Sequence, residues 1–385
     1  MVEKALEGGR GYRLFLVALA AVAVVGAVAY SQQFVAGLSI TGLSRDVPWG
    51  LYISQLTFLV GVAASAVMVV LPYYVHHYQA FGRMTILGEF LAIPAVLMCM
   101  LFVMVDLGQP MRALNILLHP TPRSLLFWDM LALSGYLVLN LVISRTTLEA
   151  ERNALAPPRW LKPLVYLSIP WAISIHTVTA FLYNGLAARP FWLTAILAPR
   201  FLASAFASGP ALLVLLALVV RRVAGFDVGR TAIDKLSEII AYAMAANVFF
   251  IALELFTALY SDIPEHVEHF AYLYRGLGAA GRLAPWMWAS TALAALSLVL
   301  LLVPALRRRQ GLLVVACVAV VASLWIDKGL GMVVTGFVPS PLGAVTEYWP
   351  TPRETLIALG VYAVGLLLLT LLYKIAIAVR REVEA

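Results

Sequence analysis

The feature that most limits what this chain can become is a series of ten apolar runs, near residues 13–34, 50–75, 84–105, 124–144, 163–187, 204–222, 234–259, 285–306, 311–330 and 355–378. A helix crossing a bilayer needs about 20 consecutive apolar residues, and each run supplies them. With 62% hydrophobic and 12% charged residues, the composition lies outside the soluble range. The reading is therefore an all-α, polytopic membrane protein. Pro94 interrupts the third run, but a proline kink is tolerated inside a packed bundle. The connectors leave no room for a soluble domain, so residues 1–385 are expected to form one membrane domain. Within it, 1–45 would be an N-terminal helix and loop, 46–203 and 204–330 two successive bundle regions, and 331–385 a loop and C-terminal helix.

Loop charge sets the expected orientation. Alternate connectors and both termini hold 18 of the 27 Lys and Arg residues, which places both termini in the cytoplasm of a cytoplasmic-membrane protein. The net charge of +7 follows from this anchoring bias, and no basic-aromatic module for nucleic acid is visible. The first apolar run is too long for a signal-peptide core and lacks a small-residue cleavage site, so it reads as a retained helix. Cys99 and Cys317 both sit inside apolar runs without a CxxC or CxxCH motif. The chain is thus expected to hold no haem or iron–sulfur cluster of its own, leaving such centres to a partner.

Ionisable groups within the runs are costly unless paired or functional. His176 falls near the middle of the fifth run, where an imidazole can hydrogen-bond a quinone carbonyl and exchange a proton. Asp129, Glu254 and Asp327 lie in the outer thirds of their runs, Asp106 at the rim, and Glu89 near the inner end of the third. Asp106, Asp129 and Arg112 would surround a pocket mouth, with Trp128 packing on a bound ring. Glu89, His176 and Glu254 would begin a proton path, joined by Asp327 unless that residue merely pairs with its neighbour Lys328. Gln55 is a lone amide beside the small residues Gly61, Ala64 and Ser65, a stripe suited to close helix packing. The connectors 35–49, 106–123, 188–203, 260–284 and 331–354 are rich in Pro, Gly and aromatics and suit a docking face. One ends in Thr351-Pro352-Arg353-Glu354, a capping box.

The stretch Asp106-Leu107-Gly108-Gln109-Pro110, then Arg112, Pro120, Ser124, Trp128 and Asp129, resembles the loop of the NrfD/PsrC family of integral membrane redox subunits. Pro170, His176, Arg189, Pro190, Trp192, Pro199 and Ser208-Gly209 are similar to a second part of its pattern, and the likeness runs in order from about 45 to 330. Ten crossings look more like the longer DsrP/HmcC-type members. The resemblance implies two four-helix bundles with flanking helices, a quinone near the outer face, and a ferredoxin-like iron–sulfur subunit beside it. Where short members carry Asn and His against the quinone in their first bundle helix, Gln55 is the nearest polar residue.

Together these point to a quinone-interacting subunit of a respiratory redox complex. It would exchange electrons between menaquinone or menaquinol and an extracytoplasmic iron–sulfur subunit, and the sequence permits proton translocation. A secondary transporter and a purely structural membrane anchor are the competing readings. The scarcity of mid-membrane Gly/Pro interruptions, chiefly Pro94 and Gly209-Pro210, argues against the transporter.

Overall fold

The computed structural model describes residues 5–153 and 155–384, with side chains to 382. Lys4, one of the basic residues counted at the N-terminus, lies outside the described residues. Among the described residues, ten helices long and apolar enough to span a bilayer follow one another, confirming an all-α multi-pass membrane protein. They are α1 (Arg10–Ala36), α2 (Leu51–Tyr74), α3 (Gly82–Asp106), α4 (Leu125–Arg152), α5 (Leu161–Asn184), α6 (Leu197–Ala224), α7 (Arg230–Ser261), α8 (Ala284–Leu302), α9 (Gln310–Thr335) and α10 (Pro352–Glu384). All ten expected crossings are present, and α3 runs unbroken through Pro94. The largest shifts of a boundary are at α4, which ends at Arg152 rather than near 144, and at α6, which starts at Leu197 rather than near 204.

Packing groups the helices into neighbours. α2 lies against α3 and α6, α4 against α5 and α3, α7 against α6 and α8, α9 against α8 and α6, and α10 against α1 and α3. In α2 and α3, 78% of the most apolar stretch is buried, against 11% in α1. Hence α2 and α3 form the axis and α1 is peripheral.

Lipid chains are as apolar as leucine, so helices in a bilayer associate through close backbone approach and interhelical hydrogen bonds rather than hydrophobic drive. Both appear. The small-residue stripe of α2 meets Ser208-Gly209 of α6 so tightly that a Cβ on Gly209 would fall 2.9 Å from Ser65 Cβ. Likewise a Cβ on Gly360 of α10 would lie 2.7 Å from Gly26 Cα of α1. Ser290 of α8 and Ser323 of α9 each donate to the other's carbonyl, at 2.8 and 2.9 Å. Trp171 Nε1 of α5 donates to Ala132 O of α4 at 2.9 Å.

One α9 segment departs from regular helix. Residues Trp325–Gly331 form a π-helical turn in which Gly329 leaves helical geometry (φ −81°, ψ −110°). This is a real interruption that the Gly/Pro count does not identify, whereas the helices continue through Pro94, Pro170 and Pro210.

The connectors after α1, α3, α5, α7 and α9 share one end of the molecule, here called the connector face, and are knitted together. The capping box forms: Thr351 N–H donates to Glu354 Oε2 at 2.8 Å and Glu354 N–H to Thr351 Oγ1 at 3.3 Å. Glu354 is fully buried and also accepts from Gly42 N–H (2.7 Å) and Tyr348 Oη (2.7 Å). The Tyr348 hydroxyl in turn accepts the Leu51 N–H at 2.8 Å. A first-turn amide of α2, which has no partner within its own helix, is thus satisfied from a connector 297 residues away. His269, on the amphipathic helix Pro264–Tyr274, places Nδ1 2.9 Å from both Thr335 O and Val338 O, and burial lowers its pKa below 6.5. Arg189 lies over the Phe337 ring at 4.6 Å.

Replacing Glu354 with Ala removes the acceptor shared by α1's loop, the Tyr348 connector and α10. We expect a loss of about 3 kcal/mol in unfolding of the detergent-solubilised protein. An unchanged unfolding midpoint for Glu354→Ala would remove this carboxylate from its structural role.

Candidate functional site

The interruption in α9 places two ionisable residues deep between helices. Asp327 and Lys328 are both buried, on adjacent positions that point in different directions. The Asp327 carboxylate receives two hydrogen bonds from Arg200 Nη2 of α6, both 2.9 Å. Arg200 Nη1 meets Glu254 Oε2 of α7 at 2.5 Å. One guanidinium thus bridges two carboxylates from two other helices, one on each terminal nitrogen, a role for which its several N–H donors suit it. Lys328 takes another direction: its Nζ lies 4.3 Å from the Phe201 ring centre and 3.4 Å from Phe201 O, against the Gly61 and Ser208 packing. The expected Asp327–Lys328 pair is therefore absent, because neighbouring residues on a helix do not face one another. The buried set still comprises two basic and two acidic side chains.

A cavity of about 340 Å³ opens between α3, α4 and the 106–124 connector. Its walls are apolar, including Met100, Val103, Met130 and Leu133, while Gln109, Arg112 and Asp129 supply the polar groups. Arg112 is exposed at the mouth and Asp129 is 2% exposed at the floor. Thr179 of α5 fixes the carboxylate by donating to Asp129 Oδ1 at 2.7 Å. His176, Thr179 and Tyr183 form one buried stripe of α5, and Tyr183 Oη lies 2.5 Å from Thr57 Oγ1 of α2. The His176 ring has no hydrogen-bond partner at either nitrogen among the described residues.

The other expected site residues do not join this cavity. Trp128, 45% exposed, donates its indole N–H to Pro122 O at 2.7 Å, so it braces the connector and does not line the cavity. Asp106 ends α3 outside the cavity lining, and its Oδ1 is buried without a hydrogen-bond partner among the described residues. Gln55 lines a different cavity of about 290 Å³, with Trp286, Trp325, Trp349 and Tyr362. There Gln55 Oε1 accepts from Trp325 Nε1 (2.7 Å) and Tyr362 Oη (2.6 Å). Glu89 sits with Tyr136, Asn140 and Ser168 around a void of about 10 Å³, room for one water. Ser168 is two turns, about 12 Å, from His176 along α5, and no hydrogen bond links Glu89, His176 and Glu254 among the described residues.

Arg200 is the residue that sequence reasoning misses. Pro199 and Arg200 precede the sixth apolar run, which assigns them to connector 188–203. Yet proline is at home in a first helical turn, where its missing N–H costs nothing, and Leu197-Ala198 already belong to the apolar pattern. Those two signals would move the helix start upstream. Thr179 has no signal beyond its place one turn after His176.

Comparison with known proteins adds an independent line. The sequence profile described as NrfD, polysulphide reductase, matches residues 39–329. That span takes in α2 to α8 and most of α9 and leaves out the whole of α1 and of α10. A Halobacterium salinarum protein, provisionally named as a membrane subunit of dimethyl sulfoxide reductase, is 26% identical, covering 94% of this chain and 89% of its own length. A selenate reductase subunit from Mesobacillus selenatarsenatis is 25% identical over 53% of this chain and 56% of its own length. The Hdr-like menaquinol oxidoreductase integral membrane subunit of Archaeoglobus fulgidus is 24% identical over 70% of this chain and 67% of its own length.

Removing Arg200 would leave Asp327 and Glu254 as uncompensated buried charges. Arg200→Met is expected to destabilise the protein by about 3–5 kcal/mol, with Arg200→Lys between it and the parent. Denaturation in detergent checks this; equal stability of all three would show that the triad does not hold α6, α7 and α9 together.

Proposed function

This chain belongs to the NrfD family, and from that premise we propose that it is the quinone-reactive membrane subunit of an oxidoreductase complex, passing electrons between a menaquinone-type pool and an iron–sulfur partner. The relatives' names, two of them reductase subunits and one a menaquinol oxidoreductase subunit, support this class. The observation that carries the reading is the cavity with an arginine at its mouth and a buried, oriented carboxylate at its floor.

The residues present fit a quinone. Cavities that bury small ligands span about 300–1,000 Å³, so this one accommodates a ring whose isoprenoid tail continues into lipid. A quinone bound there would supply two-electron chemistry coupled to two protons. Arg112 donates hydrogen bonds and favours a polar head at the mouth. Asp129, the carboxylate lining this cavity, accepts or returns a proton at Oδ2, because Thr179 already occupies Oδ1. The methionine and leucine walls exclude water from the floor. His176, one turn before Thr179 on the same buried face and with both ring nitrogens unpartnered, is the next proton carrier inward.

The partner would rest on the connector face, whose loops are fixed to one another and to the starts of α2 and α10. With 17 of the described basic residues on the opposite side, that face is extracytoplasmic and the termini are cytoplasmic. Arg200 and Lys328, now placed inside the bundle, no longer count toward the connector face, which widens the bias.

The interrupted α9 favours a second reading, since secondary transporters place ion sites where helices break near mid-membrane. Solute uptake by the isolated protein in liposomes would support it. Under the redox reading, Asp129→Asn in the assembled complex lowers quinol-linked electron transfer about 100-fold and His176→Ala at least about tenfold, with the subunits still associated. Parental rates in both variants would sink the redox reading of this cavity.

A further inference from the structure

Another cavity lies at the other end of the molecule and plays no part in the redox reading. It measures about 440 Å³ and runs between α6 and α9 where both helices reach the face opposite the connectors. Leu215, Val219 and Val314 form its wall. Val219 is 55% exposed, so the groove opens sideways into the hydrocarbon that surrounds these helices. Arg221 and Arg222 lie at its polar end, and Arg221 Nη2 is held across the mouth by Gln310 Oε1 at 2.7 Å.

Among the described residues, Arg221 and Arg222 are not matched by acids of their own. Of the nearby acids, Glu238 is taken by Lys235 (2.9 Å) and Arg307 (3.2 Å), and Asp234 by Arg230 (3.1 Å). Asp227 Oδ1 accepts the Gly229 N–H at 3.0 Å. Arg221 faces only a neutral amide, and Arg222 and Arg309 have no acidic partner among the described residues. The first turn of α9, with its unsatisfied N–H groups and positive helix end, opens beside them at Gln310.

An aliphatic groove open to the acyl layer and closed at the interface by paired arginines matches one ligand chemistry: a phosphate ester on an acyl chain. We propose that this groove is a binding site for an anionic phospholipid, with one acyl chain along Leu215, Val219 and Val314 and the phosphate between Arg221 and Arg222. An inorganic phosphate could satisfy the arginines but not the apolar wall, and a zwitterionic lipid the wall but not the excess charge.

Native mass spectrometry of the full chain in detergent separates these cases, with phosphatidylglycerol, phosphatidylcholine and inorganic phosphate as the three probes and thermal unfolding as a second readout. Phosphatidylglycerol is expected to be retained over phosphatidylcholine by about fivefold for each arginine engaged, and inorganic phosphate alone to give no thermal shift. Arg221→Gln with Arg222→Gln should abolish the preference. Val314→Trp, which fills the groove but keeps both arginines, should abolish retention. Equal retention of the two lipids, a phosphate-only shift of the same size, or an undiminished preference in a folded double variant would each overturn the proposal. If the double variant does not fold, the parent's choice among the three probes still decides.

Discussion

A charge in hydrocarbon must be paired or it will not stay, and the Arg200 bridge to Asp327 and Glu254 meets that condition between α6, α7 and α9. The bridge has consequences for the backbone. For Asp327 to reach Arg200 while Lys328 turns to Phe201, α9 widens into a π turn and Gly329 leaves helical geometry. Such turns usually mark places where side-chain placement outweighs helix regularity. The freed backbone sits against α2, where Gly329 approaches Ser54 O, so the irregular segment is shielded from lipid. Three helices of the second half are therefore joined by one guanidinium, and two of them, α6 and α9, pack on α2.

That makes the setting of α2 consequential. Its first thirteen residues are all buried, its small-residue stripe admits α6, and its start is held by the Tyr348 hydroxyl. Tyr348 answers to Glu354, and Glu354 to the loop after α1. The connector face is thus continuous with the axis of the bundle through three hydrogen bonds. Trp192 adds a second link, donating to Met332 O just beyond the α9 break at 3.0 Å. A protein seated on this face would touch loops that fix both the central helix and the irregular one.

Much of this was legible in the sequence. The ten helices followed from run length alone, and the capping box at Thr351 from four residues. The packing role of Gly61 and Ser65 followed from their size. What could not be read was direction. Arg112 and Asp129, 17 positions apart, meet at one cavity because the connector folds back over α3 and α4, and no periodicity encodes that return. Gln55 belongs to a cavity of its own for the same reason: its partners Trp325 and Tyr362 arrive from α9 and α10, 270 and 307 residues later. Trp128 looked like a ring-stacking residue from its place beside Asp129. Adjacent helix positions diverge by about 100°, so burying Asp129 turns Trp128 outward. The same divergence separates Asp327 from Lys328.

The division into two cavities bears on how such a site can work. Around Gln55 the amide oxygen is saturated by an indole and a phenol, both obligatory or preferred donors there, which leaves an amide N–H₂ and aromatic walls. That cavity can hold a flat apolar molecule and donate to an oxygen, but its only ionisable lining group is the Tyr362 hydroxyl, already committed to Gln55. Around Asp129 the walls are flexible methionine and leucine, and the floor is a carboxylate with one oxygen fixed and one open. Proton-coupled redox chemistry needs a group that changes its proton count at the ring, and binding does not. On chemical grounds alone, the Asp129 cavity is suited to turnover and the Gln55 cavity to retention.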